Sequence, residues 1–199
     1  MSEWLIAAGL IGLFLGSFML LEVCKRKFKL SSEITRRIAH VVSGLCGLLD
    51  YLLVSKPTFV ILMVLGIPFI LISYRRNIFT AVHNVVRKTY GELFLAVGIV
   101  LAFLASLLEP SSFIPALLII TFSDSLAGLV SDLYKQPRKM IRGSIVFFAV
   151  TVVILLSFSV SWAISFLIAL ALTLVERYSP LGSDNLTVPV AAAALLVLF

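Results

Sequence analysis

From Trp4 to Val23 the chain runs through twenty residues with a single charged side chain, Glu22, and apolar stretches of this kind recur to the C-terminus. About 20 mostly apolar residues carry an α-helix across the hydrocarbon core of a bilayer. Lipid offers nothing to satisfy an open backbone, so a spanning chain closes its hydrogen bonds within helices or a barrel. Only 13% of residues are charged, against about 25% in a soluble domain, so a polar coat over a water-soluble core is excluded. The expected architecture is all-α: a polytopic integral membrane helical bundle of seven to eight transmembrane helices with short loops, forming one domain over residues 1–199. The first run is not a signal peptide, because the acid Glu3 precedes it and Lys25, Arg26, Lys27 and Lys29 follow it; signal peptides carry their positive charge in front. Cys24 and Cys46 have no metal-ligand spacing and read as small packing residues.

Charges and prolines between the apolar runs predict helices over 3–23, 38–54, 58–73, 91–108, 113–131, 143–158, 161–176 and 187–199. Ser157, Ser159 and Ser161 mark a tight hairpin between the sixth and seventh. With the N-terminus outside, the inner loops are 24–37, 74–90, 132–142 and 176–186, and they hold fifteen of the sixteen Lys and Arg; only Lys56 falls outside. That bias orients the chain by the positive-inside rule. The inner side also takes Glu22, Glu33, Glu92, Asp124, Asp132, Glu176 and Asp184, which the rule does not explain. Between Arg75 and Tyr90, Ile78, Val82, Val85 and Val86 recur at helical spacing, predicting a basic amphipathic helix in the headgroup plane.

Five clusters on this inner side can carry chemistry. Arg36, Arg37 and His40 share adjoining faces of one helical turn, offering guanidinium forks for phosphate and an imidazole for a proton; two topology-setting arginines and a snorkelling histidine are the plain rival. Lys88-Thr89-Tyr90-Gly91-Glu92 brings a cation and an acid to a helix start, where an acid is also simply favourable. In Ser123-Asp124-Ser125, Asp124 shares a face with Gly128 and Asp132. It lies about 10 Å inside its helix end, a depth at which a carboxylate marks a functional site by default. Lys139, Arg142 and Gly143-Ser144 place cations ahead of a helix N-terminus, which is receptive to anions. Glu176 to Pro189 is the most polar stretch, and its Asp184 and Asn185 supply oxygen ligands suited to Mg²⁺. No P-loop, GxGxxG or HExxH occurs.

These segments resemble the dolichol kinase and phytol kinase family, which includes CTP-dependent diacylglycerol kinases and is related to the phosphatidate cytidylyltransferases. Glu176 to Pro189 is similar to the family's "VE.sp.g.DNltvP" signature, Arg36-Arg37 with His40 to its basic pair plus histidine, Tyr90-Gly91-Glu92 to "YGE", and Ser123 to Gly128 to "GDalAglvg". The order of the matches is kept from residue 33 to the C-terminus. Two departures stand out: Lys139-Met140-Ile141-Arg142-Gly143-Ser144 replaces a Lys-Ser/Thr-x-Glu-Gly-Ser pattern, and Ser123 stands where relatives tend to have glycine.

The resemblance implies transfer of the γ-phosphoryl group of CTP, the co-substrate, to the hydroxyl of a membrane lipid alcohol at the cytoplasmic face. The acceptor would be a polyprenol or dolichol, phytol or diacylglycerol, with Mg²⁺ or another divalent cation and no nucleic-acid partner. Catalysis would fall to Asp124, His40 and Arg37. Nucleotide and phosphate would bind Lys88, Lys139, Arg142, Gly143, Ser144 and Asn185, and the metal Asp124, Asp184 and Glu92. Two other readings stay open: a cytidylyltransferase making a CDP-lipid, and a transporter or scaffold without chemistry.

Overall fold

The computed structural model describes residues 2–76, 78, 90–134 and 141–199, and every regular element among them is helical. Lys88, Lys139 and most of the expected amphipathic segment lie outside the described residues. The chain divides into two compact units, Met1–Lys88 and Thr89–Phe199.

The first unit contains α1 (Glu3–Phe28), α2 (Ser32–Leu53) and α3 (Lys56–Arg76). The apolar run of α1 ends at Val23, yet the helix continues through Lys25, Arg26 and Lys27. Long unbranched cations are good helix formers and suit the negative end of the helix dipole. Lys29 then closes it in the left-handed conformation, with φ 52°. The expected start of α2 near residue 38 was too late. Ser31 caps the helix by accepting a hydrogen bond from the Ile34 N–H at 3.3 Å, so Arg36, Arg37 and His40 stand on α2 itself. Phe18 and Leu21 of α1 pack against Ala39 of α2, with Phe14, Val42 and Phe69 closing around them. At the other end the Glu3 carboxylate accepts a hydrogen bond from the Ser55 N–H at 2.6 Å, satisfying a backbone donor at the entry to α3.

The second unit contains α4 (Gly91–Ala105), α5 (Pro110–Leu133), α6 (Ile141–Ser157), α7 (Trp162–Tyr178) and α8 (Asp184–Val197). The α6–α7 hairpin falls at the three serines, with Ser159 left-handed at φ 61°. The core is made of side chains with no more than 1% exposure, among them Phe113, Ile119, Phe147, Ile168, Leu172 and Val188. Two glycines permit close helix crossings. A Cβ on Gly98 of α4 would strike the Asn185 carbonyl oxygen and come within 3.1 Å of the Pro189 ring on α8. A Cβ on Gly143 of α6 would lie 2.9 Å from the Ala127 carbonyl oxygen of α5. Pro189 has no N–H to offer the Asn185 carbonyl four residues back, so this carbonyl, left out of the α8 ladder, faces the groove that Gly98 leaves.

Within α5, Ile119–Asp124 widens into a π turn. Thr121 donates its hydroxyl to the Leu117 carbonyl at 2.6 Å, taking the acceptor that an α-helical ladder would give to its own N–H. Such turns occur often at functional sites, and this one ends on Asp124.

Three described helices, α1, α3 and α5, are long and apolar enough to cross a membrane. Leu20 of α1 and Leu65 of α3 are 64% and 62% exposed, and their helices carry many similar neighbours; apolar surface of this extent suits lipid rather than water. Helices α4, α6 and α8 are equally apolar but shorter, at 15, 17 and 14 residues.

Candidate active site

Three helices of the second unit each bring one acid to a common point. Asp124 comes from the π turn of α5, Glu176 from the last turn of α7 and Asp184 from the first turn of α8. One oxygen from each lies within 4.8 Å of the other two, and all three residues are buried. Buried carboxylates crowded together repel strongly unless a cation or protons intervene. An all-oxygen, anionic cluster of this kind fits a hard divalent ion.

The loop between α7 and α8 presents Asp184. Ser183 donates its N–H to the Pro180 carbonyl at 2.9 Å, and Leu181 and Gly182 take left-handed conformations at φ 54° and 84°. Glycine makes the second of these easy. The Ser179 and Thr187 hydroxyls lie 2.9 Å apart across the turn, bracing it. Asn185 follows, donating its side-chain amide to the Gly91 carbonyl at 2.8 Å and its N–H to Asp184 Oδ1 at 3.1 Å.

Two buried polar atoms have no hydrogen-bond partner among the described residues: Asn185 Oδ1 and Ser125 Oγ. They belong to residues 4% and 3% exposed, each next in sequence to a member of the carboxylate group. Leaving such atoms unmatched costs about 1–3 kcal/mol each, so an oxygen acceptor with no donor among the described residues points to a ligand. Carboxylate cluster and orphaned amide oxygen together fit a metal-bound polar substrate.

The phytol kinase of Synechocystis sp. is 31% identical to this chain over 211 aligned positions, which cover 96% of the chain and 90% of that protein. The chain belongs to the phytol/polyprenol kinase family. No family model matches it, and no solved structure does. Three of the four segments that carry the family resemblance meet in the second unit. The "YGE" start of α4 accepts from Asn185 through Gly91, and Tyr90 donates its N–H to the Leu181 carbonyl at 3.4 Å. The aspartate of the third segment joins both acids of the fifth.

Other candidates fall elsewhere. Glu92 sits half-buried in the first turn of α4 and is not part of the three-carboxylate group; Glu176 takes the third place. Glu176 opens the signature-like stretch, and its position one turn before a Pro-Gly loop leading to Asp184 is the signal that could have marked it. Arg142 is exposed, its guanidinium carbon 4.6 Å above the Tyr134 ring, a cation–π contact. Gly143 and Ser144 are buried at the start of α6. Arg37 and His40 lie half-buried on α2 in the first unit. Ser123, which replaces the family's glycine, is fully buried and accepts a 3.0 Å hydrogen bond from the Thr151 hydroxyl of α6. The added hydroxyl is thereby matched within the α5–α6 interface.

Proposed function

We propose that this protein is a lipid-alcohol kinase that moves the γ-phosphoryl group of CTP to the hydroxyl of a long-chain isoprenoid alcohol, phytol or a polyprenol, at the cytoplasmic face of a membrane. The observation that carries the reading is the group of three buried carboxylates on α5, α7 and α8. Membership of a family with a curated phytol kinase supports the acceptor class. The choice of CTP rests on the motif resemblance, and the cytoplasmic face on the one-sided distribution of Lys and Arg. The reading treats residues 1–199 as one lipid-kinase domain whose seven to eight helices are embedded in the bilayer, N-terminus outside.

In this reading Asp124, Glu176 and Asp184 hold Mg²⁺, and Asn185 Oδ1 accepts from the nucleotide or from water on the ion. Mg²⁺ in such a site neutralises charge on the phosphates, which is most of what phosphoryl transfer requires. The bond between the γ-phosphorus and the bridging oxygen of CDP breaks as the lipid oxygen bonds to phosphorus. The hydroxyl proton passes to a carboxylate of the group, for which Asp124 at the π turn is the candidate. Arg37 and His40 keep the phosphoryl-handling roles that their motif implies, as do Lys88 and Lys139.

The test is an NTP-by-lipid activity matrix with the purified chain in detergent, using labelled nucleotide and identifying products by mass. Lipid phosphate and CDP are expected from CTP, with Asp124→Asn, Glu176→Gln and Asp184→Ala each losing activity by at least a hundredfold. CDP-lipid with pyrophosphate as the product would sink the kinase reading, as would full activity in all three variants.

A further inference from the structure

Arg177 follows Glu176 on α7. Consecutive helical residues point about 100° apart, so while Glu176 turns to Asp124 and Asp184, Arg177 turns to a different neighbour, α6. There its Nη1 donates to Ser144 Oγ at 3.3 Å. Among the described residues this is the only hydrogen bond Arg177 makes, and it forms no ion pair. A guanidinium carries five N–H donors, so most of its donor capacity stays open on a half-buried side chain. A cation next in sequence to a cluster of buried acids thus has no ion pair among the described residues.

Ser144 makes the same point from the other side. It is 8% exposed, and its oxygen accepts from Arg177. Acceptance there turns the hydroxyl proton away from the guanidinium, and among the described residues that proton is donated to nothing. A nine-tenths-buried O–H with no acceptor among the described residues, beside a guanidinium with most of its N–H groups open, is complementary to an anion rich in acceptor oxygens. The opposite polarity holds at the carboxylate group, where Asn185 Oδ1 is an acceptor lacking a donor. Nucleoside triphosphates carrying a divalent ion have this double character: metal on one side, bare phosphate oxygens on the other.

We propose that Arg177 and Ser144 form a phosphate receptor for the donor nucleotide, Arg177 binding one phosphate group through its free N–H groups and Ser144 donating to the same group. This rests on the reading of the chain as a nucleotide-dependent kinase. It moves the principal phosphate cation of this helix start from Arg142, which lies on Tyr134, to Arg177.

The test measures CTP–Mg²⁺ and inorganic pyrophosphate binding to the full chain in detergent by calorimetry, for wild type, Arg177→Ala, Arg177→Lys and Ser144→Ala. Hydrogen bonds to charged groups predict a loss of about 10- to 100-fold in affinity for both probes in Arg177→Ala. Arg177→Lys recovers part of it, since lysine keeps the charge without the fork, and Ser144→Ala loses about 3- to 10-fold. Mn²⁺ binding without nucleotide stays at the wild-type value and doubles as the check on folding. Should Arg177→Ala fail that check, the other two variants decide. Wild-type affinity for CTP and pyrophosphate in every folded variant overturns the proposal. So does a loss confined to a long-chain alkyl phosphate competitor, which would assign the receptor to the lipid product. A wild-type chain that binds neither nucleotide nor pyrophosphate overturns the kinase reading itself, a result distinct from any difference among variants.

Discussion

Glu176→Gln is the sharpest perturbation of the candidate metal group, because it removes one charge and keeps the shape. Two unit charges 4.8 Å apart, the outer limit of the group's oxygen spacing, repel by about 3.5 kcal/mol at an effective dielectric of about 20. Three acids form three such pairs, and the substitution deletes two of them, about 7 kcal/mol of repulsion that a bound cation offsets. If the group holds a metal, loss of Glu176 should couple strongly to metal binding. If affinity falls about 100-fold, a Mn²⁺ concentration 100 times the wild-type Kd stabilises the wild type by about 2.7 kcal/mol and the variant by about 0.4 kcal/mol. For a chain of this size that difference of about 2.3 kcal/mol corresponds to about 5–9 °C in Tm. The assay is thermal unfolding in detergent with chelator and with Mn²⁺, for wild type, Glu176→Gln and Glu92→Gln. Comparing increments within each protein cancels whatever other contacts Glu176 makes. The expected result is loss of the Mn²⁺ increment in Glu176→Gln and its retention in Glu92→Gln. A full increment in Glu176→Gln would refute the assignment of the group as a metal site.

Gly98→Ala forces a Cβ against the Asn185 carbonyl; overpacking of this kind costs about 1–3 kcal/mol, and displacement of α8 should also lower activity, read as a fall in both Tm and kcat. Thr151→Val strands the Ser123 hydroxyl in the α5–α6 interface and should cost about 0.6–1.7 kcal/mol, the range for interhelical hydrogen bonds in membranes. Replacing Ser123 by glycine in the same background should restore part of that loss, as measured by thermal unfolding. Topology is checked through Cys24, half-buried near the basic end of α1. In a Cys46→Ala background an impermeant maleimide should label it in inverted vesicles and not in right-side-out ones.

Much of this protein was legible along the chain because bilayer-length apolar runs and their charged borders are local signals. Eight expected helices correspond to α1–α8, and the serine hairpin stands where three hydroxyls interrupt a run too long for one helix. Errors at helix ends have a common cause: a search for apolar runs treats basic turns as loops, so the first turn of α2, capped by Ser31, and the last turns of α1 were missed. The candidate site was half legible. Asp124, Asp184 and Asn185 stand out because a carboxylate or amide deep in an apolar helix, or beside a Pro-Gly turn, costs too much to be incidental.

Two assignments read from the sequence, Glu92 to the metal and Arg142 to phosphate, have rivals that only the tertiary structure reveals. Glu92 and Glu176 are both acids at helix ends beside polar motifs, and only the packing of α5, α7 and α8 brings Glu176 to Asp124 and Asp184. Arg142 and Arg177 are both cations near the start of α6, and only the helix rotations lay Arg142 on Tyr134 while Arg177 reaches Ser144. A residue's place in an element follows from spacing within that element. Which of two similar side chains meets a partner on another helix depends on axial rotation and crossing distance, here set by contacts such as those of Gly98 and Gly143, many residues away in the chain.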